Sequence, residues 1–377
     1  MVKRAYRYRF YPSAQQAELL NRTFGCVRYV YNRALAERSR AWTQEQRRIT
    51  FAQTCRMLTA WKADPQTGWL CEVSNVALQQ GLQHLQQAYV NFWGKRAKYP
   101  AFKSRKHSRA SATFTTSGFR WRDGRLTLAK MDAPLDIRWS RPLPGGAQPS
   151  TVTVSRDGAG RWHVSILCEC PIEPHRPSAA AVGIDAGITS LLTLSTGEKI
   201  ANPRHERRDR ARLALAQRRL SRKAKGSANR ARARVKVARV HARITDRRRD
   251  HLHKLSTRII RENQTVIIED LSVRNMVRNH SLARAISDAS WSELRRQLEY
   301  KADWYRRTVI AIDRFYPSSK TCSGCGHLAA GMPLNIREWV CTACGAVHDR
   351  DVNAAKVILA AGLAVAACGD GVRPARA

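Results

Sequence analysis

The chain has 377 residues, with 67 Lys and Arg against 29 Asp and Glu, a formal net charge of +38. That length holds two or three domains with real cores, and a charge so far above what solubility requires points to a polyanion, nucleic acid, as partner. The longest apolar stretch, Val357 to Cys368, has 12 residues, short of the roughly 20 that cross a bilayer, so neither a membrane nor a small-molecule substrate is expected.

The start, Tyr6 to Tyr11, alternates aromatic and basic residues as a β-strand does and has no apolar core of a secretory signal. Ten cysteines without such a signal suggest metal binding or reduced thiols and a cytoplasmic location. Pro12 stops the strand, and Ser13 with Gln16 forms a capping-box signature opening a helix. Helical periodicity then runs to about Trp93 through Leu19, Leu20, Phe24, Val27, Val30 and Tyr31. A second run, Asn75 to Trp93, carries Val76, Leu78, Leu82, Leu85 and Tyr89. Such a pair can mimic a DNA-reading helix-turn-helix, but most helix pairs are simply packed helices.

Lys95 to His107 interleaves basic and aromatic residues, a mixture suited to phosphate contacts and base stacking. Its candidates are Lys98, Tyr99, Phe102, Lys103 and Arg105; a solvated linker explains the composition equally well. From Ala112 to Cys170 the pattern changes to short strands with turn dipeptides at Asp123-Gly124 and Asp157-Gly158. Thr151–Val154 and Trp162–Leu167 read as a pair in a small β-barrel or sheet that the first strand completes. Cys168 and Cys170 fall on one face of a strand as buried thiols. The prolines from Pro171 to Pro177 mark a domain boundary.

Beyond it, Val182-Gly183-Ile184-Asp185 is a buried strand ending in a carboxylate. A turn and a second strand, Leu191–Leu194, follow, which is how RNase H-like folds begin. Arg204 to Arg249 contains nineteen Lys and Arg but only three acids. With Val237, Val240, Ile244, Leu255 and Ile259 at helical intervals, it reads as one or two long helices with a broad basic face. Arg218, Arg219, Arg222, Lys223 and Arg230 are its candidates for tracking phosphates. Thr265 to Ile268 is an apolar run of a doubly buried strand that delivers Glu269 and Asp270 to opposite sides. Ser290 and Glu293 suggest a capping box for a helix carrying Trp291, Leu294, Leu298, Ala302 and Tyr305.

Cys322, Cys325, Cys341 and Cys344 form two C-x2-C knuckles fifteen residues apart, the four-thiolate zinc signature. Four thiolates leave no open position, so the zinc is read as structural, and His327 and His348 are unnecessary substitutes. Asp351 begins a helical run through Leu359; taken alone it reads as an N-terminal helix acid. Together, Asp185, Glu269 and Asp351 can converge on two Mg²⁺-like cations, which take oxygen ligands and promote phosphodiester hydrolysis. The tail after Leu363 is expected to be poorly ordered.

These residues, in this order, resemble the TnpB (OrfB) family of insertion-sequence proteins, relatives of compact type V CRISPR effectors. The likeness rests on Tyr8-Arg9-Phe10-Tyr11-Pro12, Gly183-Ile184-Asp185-Ala186-Gly187, Ile268-Glu269-Asp270-Leu271, Phe315 to Cys322, both knuckles, and Asp349 to Ala355. It implies an RNA-guided DNA endonuclease whose guide RNA derives from the transposon end, and whose duplex DNA target lies beside a short recognised motif. The implied architecture is multidomain, α/β plus α+β. A β-barrel wedge-like domain (1–12 and 111–176) carries an inserted helical recognition domain (13–110). A RuvC-like nuclease domain (177–377) follows, with a zinc ribbon inserted at 320–348, and it would cut with Asp185, Glu269 and Asp351. The competing readings are a catalytically silent RNA-guided DNA-binding regulator, a transposition accessory protein, and a guide-free RuvC-type nuclease.

Overall fold

A computed structural model describes residues 2–106, 108–333 and 335–367; His107 of the basic–aromatic run and the tail from 368 onward lie outside the described residues. The chain divides into two compact units, Met1–Pro171 and Ile172–Ala377, and each is taken by itself.

The N-terminal unit opens with strand β1 (Val2–Phe10), whose alternation turns Tyr6, Tyr8 and Phe10 inward. Ser13 and Gln16 form the reciprocal cap, each backbone N–H donating to the other's side chain at 3.1–3.2 Å, and helix α1 (Ala14–Glu45) follows. The second helical run, Asn75 to Trp93, is α3 as read, whereas the first run is broken into two helices. α1 ends where Gln46 turns left-handed, and Thr50 with Gln53 caps α2 (Phe51–Ala63). An irregular stretch then precedes α3 (Asn75–Trp93). β2 (Ala110–Thr115), β3 (Phe119–Arg122), β4 (Arg125–Leu128), β5 (Ile137–Arg138), β6 (Gln148–Arg156) and β7 (Trp162–Cys170) complete the unit.

The main sheet, in order β2-β6-β7-β1-β5, is antiparallel throughout. β1 completes it by pairing with β7 from Val2↔Cys170 to Arg9↔His163. The expected barrel is an open sheet among the described residues: β2 and β5 are its edges, and β3–β4 form a separate hairpin. Asp123 and Gly124 turn that hairpin with φ of 50° and 72°, the positive-φ pair that suits the twist of a two-residue turn. Cys168 and Cys170 are both buried on β7. One core joins sheet and helices, with Tyr8, Val152 and Ile166 against Leu20, Val30 and Leu82.

The C-terminal unit contains β8 (Ala181–Ala186), β9 (Ser190–Leu194), β10 (Lys199–Ala201), α4 (His205–Ser221), α5 (Ala228–Glu262) and β11 (Thr265–Glu269). Then come α6 (Val273–Met276), α7 (Ala283–Ala289), α8 (Trp291–Tyr305), β12 (Thr308–Ile312), β13 (Glu338–Val340), β14 (Val347–Asp349) and α9 (Arg350–Ala367). The sheet order is β10-β9-β8-β11-β12: an antiparallel meander to which β11 and β12 add in parallel.

Helices cover both faces, so β8 and β11 are apolar on both sides. Val182, Ile184, Val266 and Ile268 pack with Leu255 and Ile259 of α5 and Leu294 and Leu298 of α8. Ile267, Ile310 and Ile312 pack with Ile358 of α9 on the other face. α9 can lie that close because of two glycines. A Cβ on Gly183 would stand 2.2 Å from the Ala355 carbonyl oxygen, and one on Gly362 would stand 2.4 Å from Ile267.

Two local expectations differ. Ser290 makes no capping box: it closes α7 and opens α8 at once with φ 56°, and its hydroxyl donates to the Ser287 carbonyl. α9 continues past Leu363 to Ala367, so the first residues of the expected loose tail are helical. No described helix is long and apolar enough to cross a membrane.

Candidate functional site

Strand register determines which acids can meet. β8 and β11 pair in parallel up to Ile184↔Ile268, so Asp185 and Glu269 follow side by side. Both share the pleat face of Gly183 and Ile267, the face α9 covers. α9 brings Asp351 in its first turn. Burial raises the Asp185 carboxyl, and the negative charges of Glu269 and Asp351 raise it further, to about 7, with Arg350 and Arg337 opposing. Glu269 and Asp351 therefore stand near enough to act on the Asp185 carboxyl, although among the described residues only the four cysteines bring their ligand atoms within 4.8 Å of one another; carboxylate oxygens are the donors that hard divalent cations take.

Neighbouring groups assign the acids different work. The Ser318 hydroxyl donates to Glu269 Oε1 at 2.7 Å and fixes its orientation. Asp349, not Asp351, caps α9: its Oδ1 accepts from the Val352 N–H at 2.9 Å, and its Oδ2 pairs with Lys199 at 2.6 Å. Among the described residues, the Asp351 carboxylate has a long contact to Arg337, 3.5 Å. Asp270, on the opposite pleat, is held by Arg314 and Arg295 at 2.5 Å each, and hydrogen bonds from these guanidiniums lower its carboxyl below the usual range. It stands outside the trio.

The four cysteine sulfurs of the knuckles lie within 4.8 Å of one another. Gly326 and Gly345 have φ of 76° and 73°, and each donates its N–H to the carbonyl of the first cysteine of its knuckle, Cys322 or Cys341. Only glycine takes that left-handed turn without strain. His348 places Nε2 3.0 Å from the Cys322 sulfur, where it is a hydrogen-bond partner of a ligand atom, while His327 faces the Thr342 hydroxyl. Four sulfurs so gathered could hold one tetrahedral ion such as zinc.

The ribbon is stitched to the acids. The buried Asn353 carboxamide accepts from the Ser323 N–H at 2.8 Å and donates to the Thr321 carbonyl at 2.7 Å. Arg350 donates its backbone N–H to the Arg337 carbonyl and a guanidinium N–H to the Pro333 carbonyl. The turn of α9 that carries Asp351 is therefore clamped to the cysteine knuckle. Sequence reading missed Ser318, Arg337, Asp349 and Asn353 in these roles. Their hydrogen bonds span up to 150 residues, from Asp349 to Lys199, and have no periodic signature; only a polar residue at a core-facing helix position, Asn353, gave a hint.

The nucleic-acid candidates fall into two groups. Arg218, Arg219, Arg222 and Lys223 are exposed at the turn joining α4 to α5. Arg230 instead donates to the Leu220 and Lys223 carbonyls and holds that turn together. Lys98, Phe102 and Arg105 are exposed. Lys103 sits 3.8 Å over the Tyr31 ring with its backbone bonded to Asn32, and burial lowers its ammonium. Tyr99 packs against Tyr89 and Phe92.

Comparison with known proteins gives the same picture across the whole length. Residues 162–280 match a family, OrfB of IS605-type elements, described as "Probable transposase"; residues 291–358 match a "Cas12f1-like, TNB domain". Residues 1–47 match an OrfB "Helix-turn-helix domain", although here they form one strand and one unbroken helix. A "Putative RNA-guided DNA endonuclease" of Streptomyces pristinaespiralis is 68% identical over all of this chain and 93% of its own. InsQ of Escherichia coli K12, with the same description, is 35% identical over 99% of this chain and 95% of its own. Among solved structures, "Cryo-EM structure of the Cas12f1-sgRNA-target DNA complex" has a similar fold, with a TM-score of 0.60 at 13% identity over 95% of this chain and 98% of that one.

Proposed function

The chain belongs to the OrfB (TnpB) family, and from that membership we propose that it is an RNA-guided, divalent-metal-dependent DNA endonuclease encoded by an insertion sequence. What supports the cutting is that Asp185 and Glu269 follow the last paired residues of two adjacent parallel strands and that Glu269 and Asp351, the latter in the first turn of α9, both raise the Asp185 carboxyl. The strand order, a three-stranded meander extended by two parallel strands, supports an RNase H-like, RuvC-type nuclease domain over 177–377. The ribbon at 320–348 is its zinc-binding insertion. On the same reading, 1–12 with 111–176 is wedge-like and 13–110 is the recognition domain.

Asp185, Glu269 and Asp351 would hold two Mg²⁺ ions, which supply an activated water and charge stabilisation at the leaving oxygen of an in-line displacement. The protein's own contribution is positional. Ser318 sets Glu269, the Asn353 clamp sets the turn bearing Asp351, and Arg350 and Arg337 temper the negative potential around Asp185 so that it can ionise. The partners are a guide RNA from the transposon end and duplex DNA with a short adjacent motif. Nothing in the cutting chemistry reads sequence, which fits delegation of specificity to base pairing.

The test is Asp185→Ala in a guided cleavage assay with Mg²⁺. Cleavage falls at least 1000-fold on the order expected for loss of a metal ligand, while binding of guide and target persists. Unchanged cleavage would remove the three-acid assignment. RNA sequenced from the purified protein, expressed with its flanking DNA, tests the guide: one discrete species is expected, and a smear of cellular RNA would favour a guide-free nuclease.

A further inference from the structure

Within the N-terminal unit, α1, the start of α2 and α3 enclose a cavity of about 400 Å³, within the range of pockets that accept a small organic group. Its wall is aromatic. Trp42 comes from α1, Phe92 and Trp93 end α3, and Tyr99 lies just beyond. Trp42, Trp93 and Tyr99 are 47%, 51% and 48% exposed, a concentration of bare ring surface that a chain does not keep for packing.

The rings are held in place. Trp93 stacks on Tyr89 at 5.4 Å, and Tyr99 meets Tyr89 edge-on at 5.7 Å. The Tyr99 hydroxyl is fixed between those of Ser39 and Tyr89 at 2.8 and 3.0 Å.

The same wall is cationic. Arg38, Arg47 and Arg48 line it and, among the described lining residues, no acid does, although Arg47 pairs with Glu45 just outside at 2.7 Å. The Arg48 guanidinium lies 5.8 Å over the Trp42 ring. Arg38 is buried 4.1 Å over Tyr89 and donates to Gln86 Oε1 at 2.9 Å, which positions the Gln86 carboxamide in the wall. Planar rings beside arginines form a platform for an aromatic anion, and a concave one admits only a base that has left its stack.

We infer that this cavity binds an unpaired nucleobase of a single strand, stacked on the Trp42 and Trp93 indoles with its phosphate against Arg48. The choice of nucleic acid as ligand rests on the proposed function; the cavity and its chemistry do not involve the carboxylates.

The probes are short oligothymidylate and oligouridylate strands, each with one 2-aminopurine whose fluorescence is quenched on stacking, titrated into the full-length protein. Saturable quenching is expected. Trp42→Ala and Trp93→Ala should each weaken it about 5- to 100-fold, the range for losing one base–aromatic stack, and Trp93→Phe should restore most of it. Both tryptophans are half exposed, so the alanine variants should melt near the parent. Tighter binding of the thymidylate probe assigns the base to a DNA strand and tighter binding of the uridylate probe to RNA; either supports the pocket. Asp185→Ala should bind the probes like the parent, so an error in the nuclease reading leaves this result standing. Alanine variants that quench like the parent, or Trp93→Phe as weak as Trp93→Ala, overturn the inference.

Discussion

A carboxyl that is buried and beside other carboxyls keeps its proton, and Asp185 does so up to about 7 instead of the ordinary 3.8. In the metal-free protein the folded chain therefore holds a proton that the unfolded chain has already released. Stability from this group is complete below pH 3.8 and declines as pH rises through 7, by on the order of 4 kcal/mol in all. Thermal melts with chelator across that window should show the decline. Asp185→Asn should flatten it and raise the melting temperature at pH 7.5, while abolishing cleavage. A decline of equal size in the Asn variant would show that another group is responsible. The neighbouring acids show what a sequence can and cannot reveal at this scale. Alternation separated Glu269 from Asp270, and that separation is what the two strand faces require. The competition between Asp349 and Asp351 for the helix N-terminus was invisible, because it depends on which backbone N–H each side chain reaches.

Position along the chain says little about how closely two elements approach, and the contact of α9 with β8 depends on that. Gly183 was legible only as one residue of an apolar strand, although glycine inside a strand is a recognised sign of close approach. Gly183→Ala would set a methyl against backbone atoms of Ala355 and Leu359, at 2.2 and 2.6 Å, which cannot rotate away. Overpacking of this kind costs about 1–3 kcal/mol or more. Because the displaced helix carries Asp351, cleavage should fall further than guide binding; a variant with normal turnover would mean that α9 accommodates the methyl without moving its first turn. The long helices and the strands with two buried faces were readable from periodicity. The start of α3 at Asn75 was readable, but the break at 46–50 and the end of α2 at Ala63 were not, nor was short α7, and Ser290 was misread because it belongs to the end of α7 as much as to the start of α8. The gathering of the four cysteines was fully legible, since their spacing is itself the constraint.

For the whole molecule, the net charge of +38 predicts that nucleic-acid affinity falls steeply with salt, because each neutralised phosphate releases counterions. Replacing Arg218, Arg219, Arg222 and Lys223 together by Ala should weaken binding evenly across sequences. The log–log salt slope should become shallower by roughly one for each side chain that touches phosphate. An unchanged slope would remove the α4–α5 turn from the interface. Leu213, Val240 and Ile244 of α4 and α5 form a small cluster of their own, apart from the core around β8 and β11.

The placement of the cysteine ribbon between β12 and α9 also has a consequence in time. Asp185 and Glu269 are made early, but the third acid follows the ribbon, on a turn that Asn353 and Arg350 tie to the cysteine knuckle. A chain still being synthesised can fold its arginine-rich helices and grip RNA before Asp351 exists. If Asp351 is a catalytic acid and the knuckles hold zinc, as proposed, then a half-made molecule, or one made in a cell short of zinc, would hold nucleic acid without breaking it.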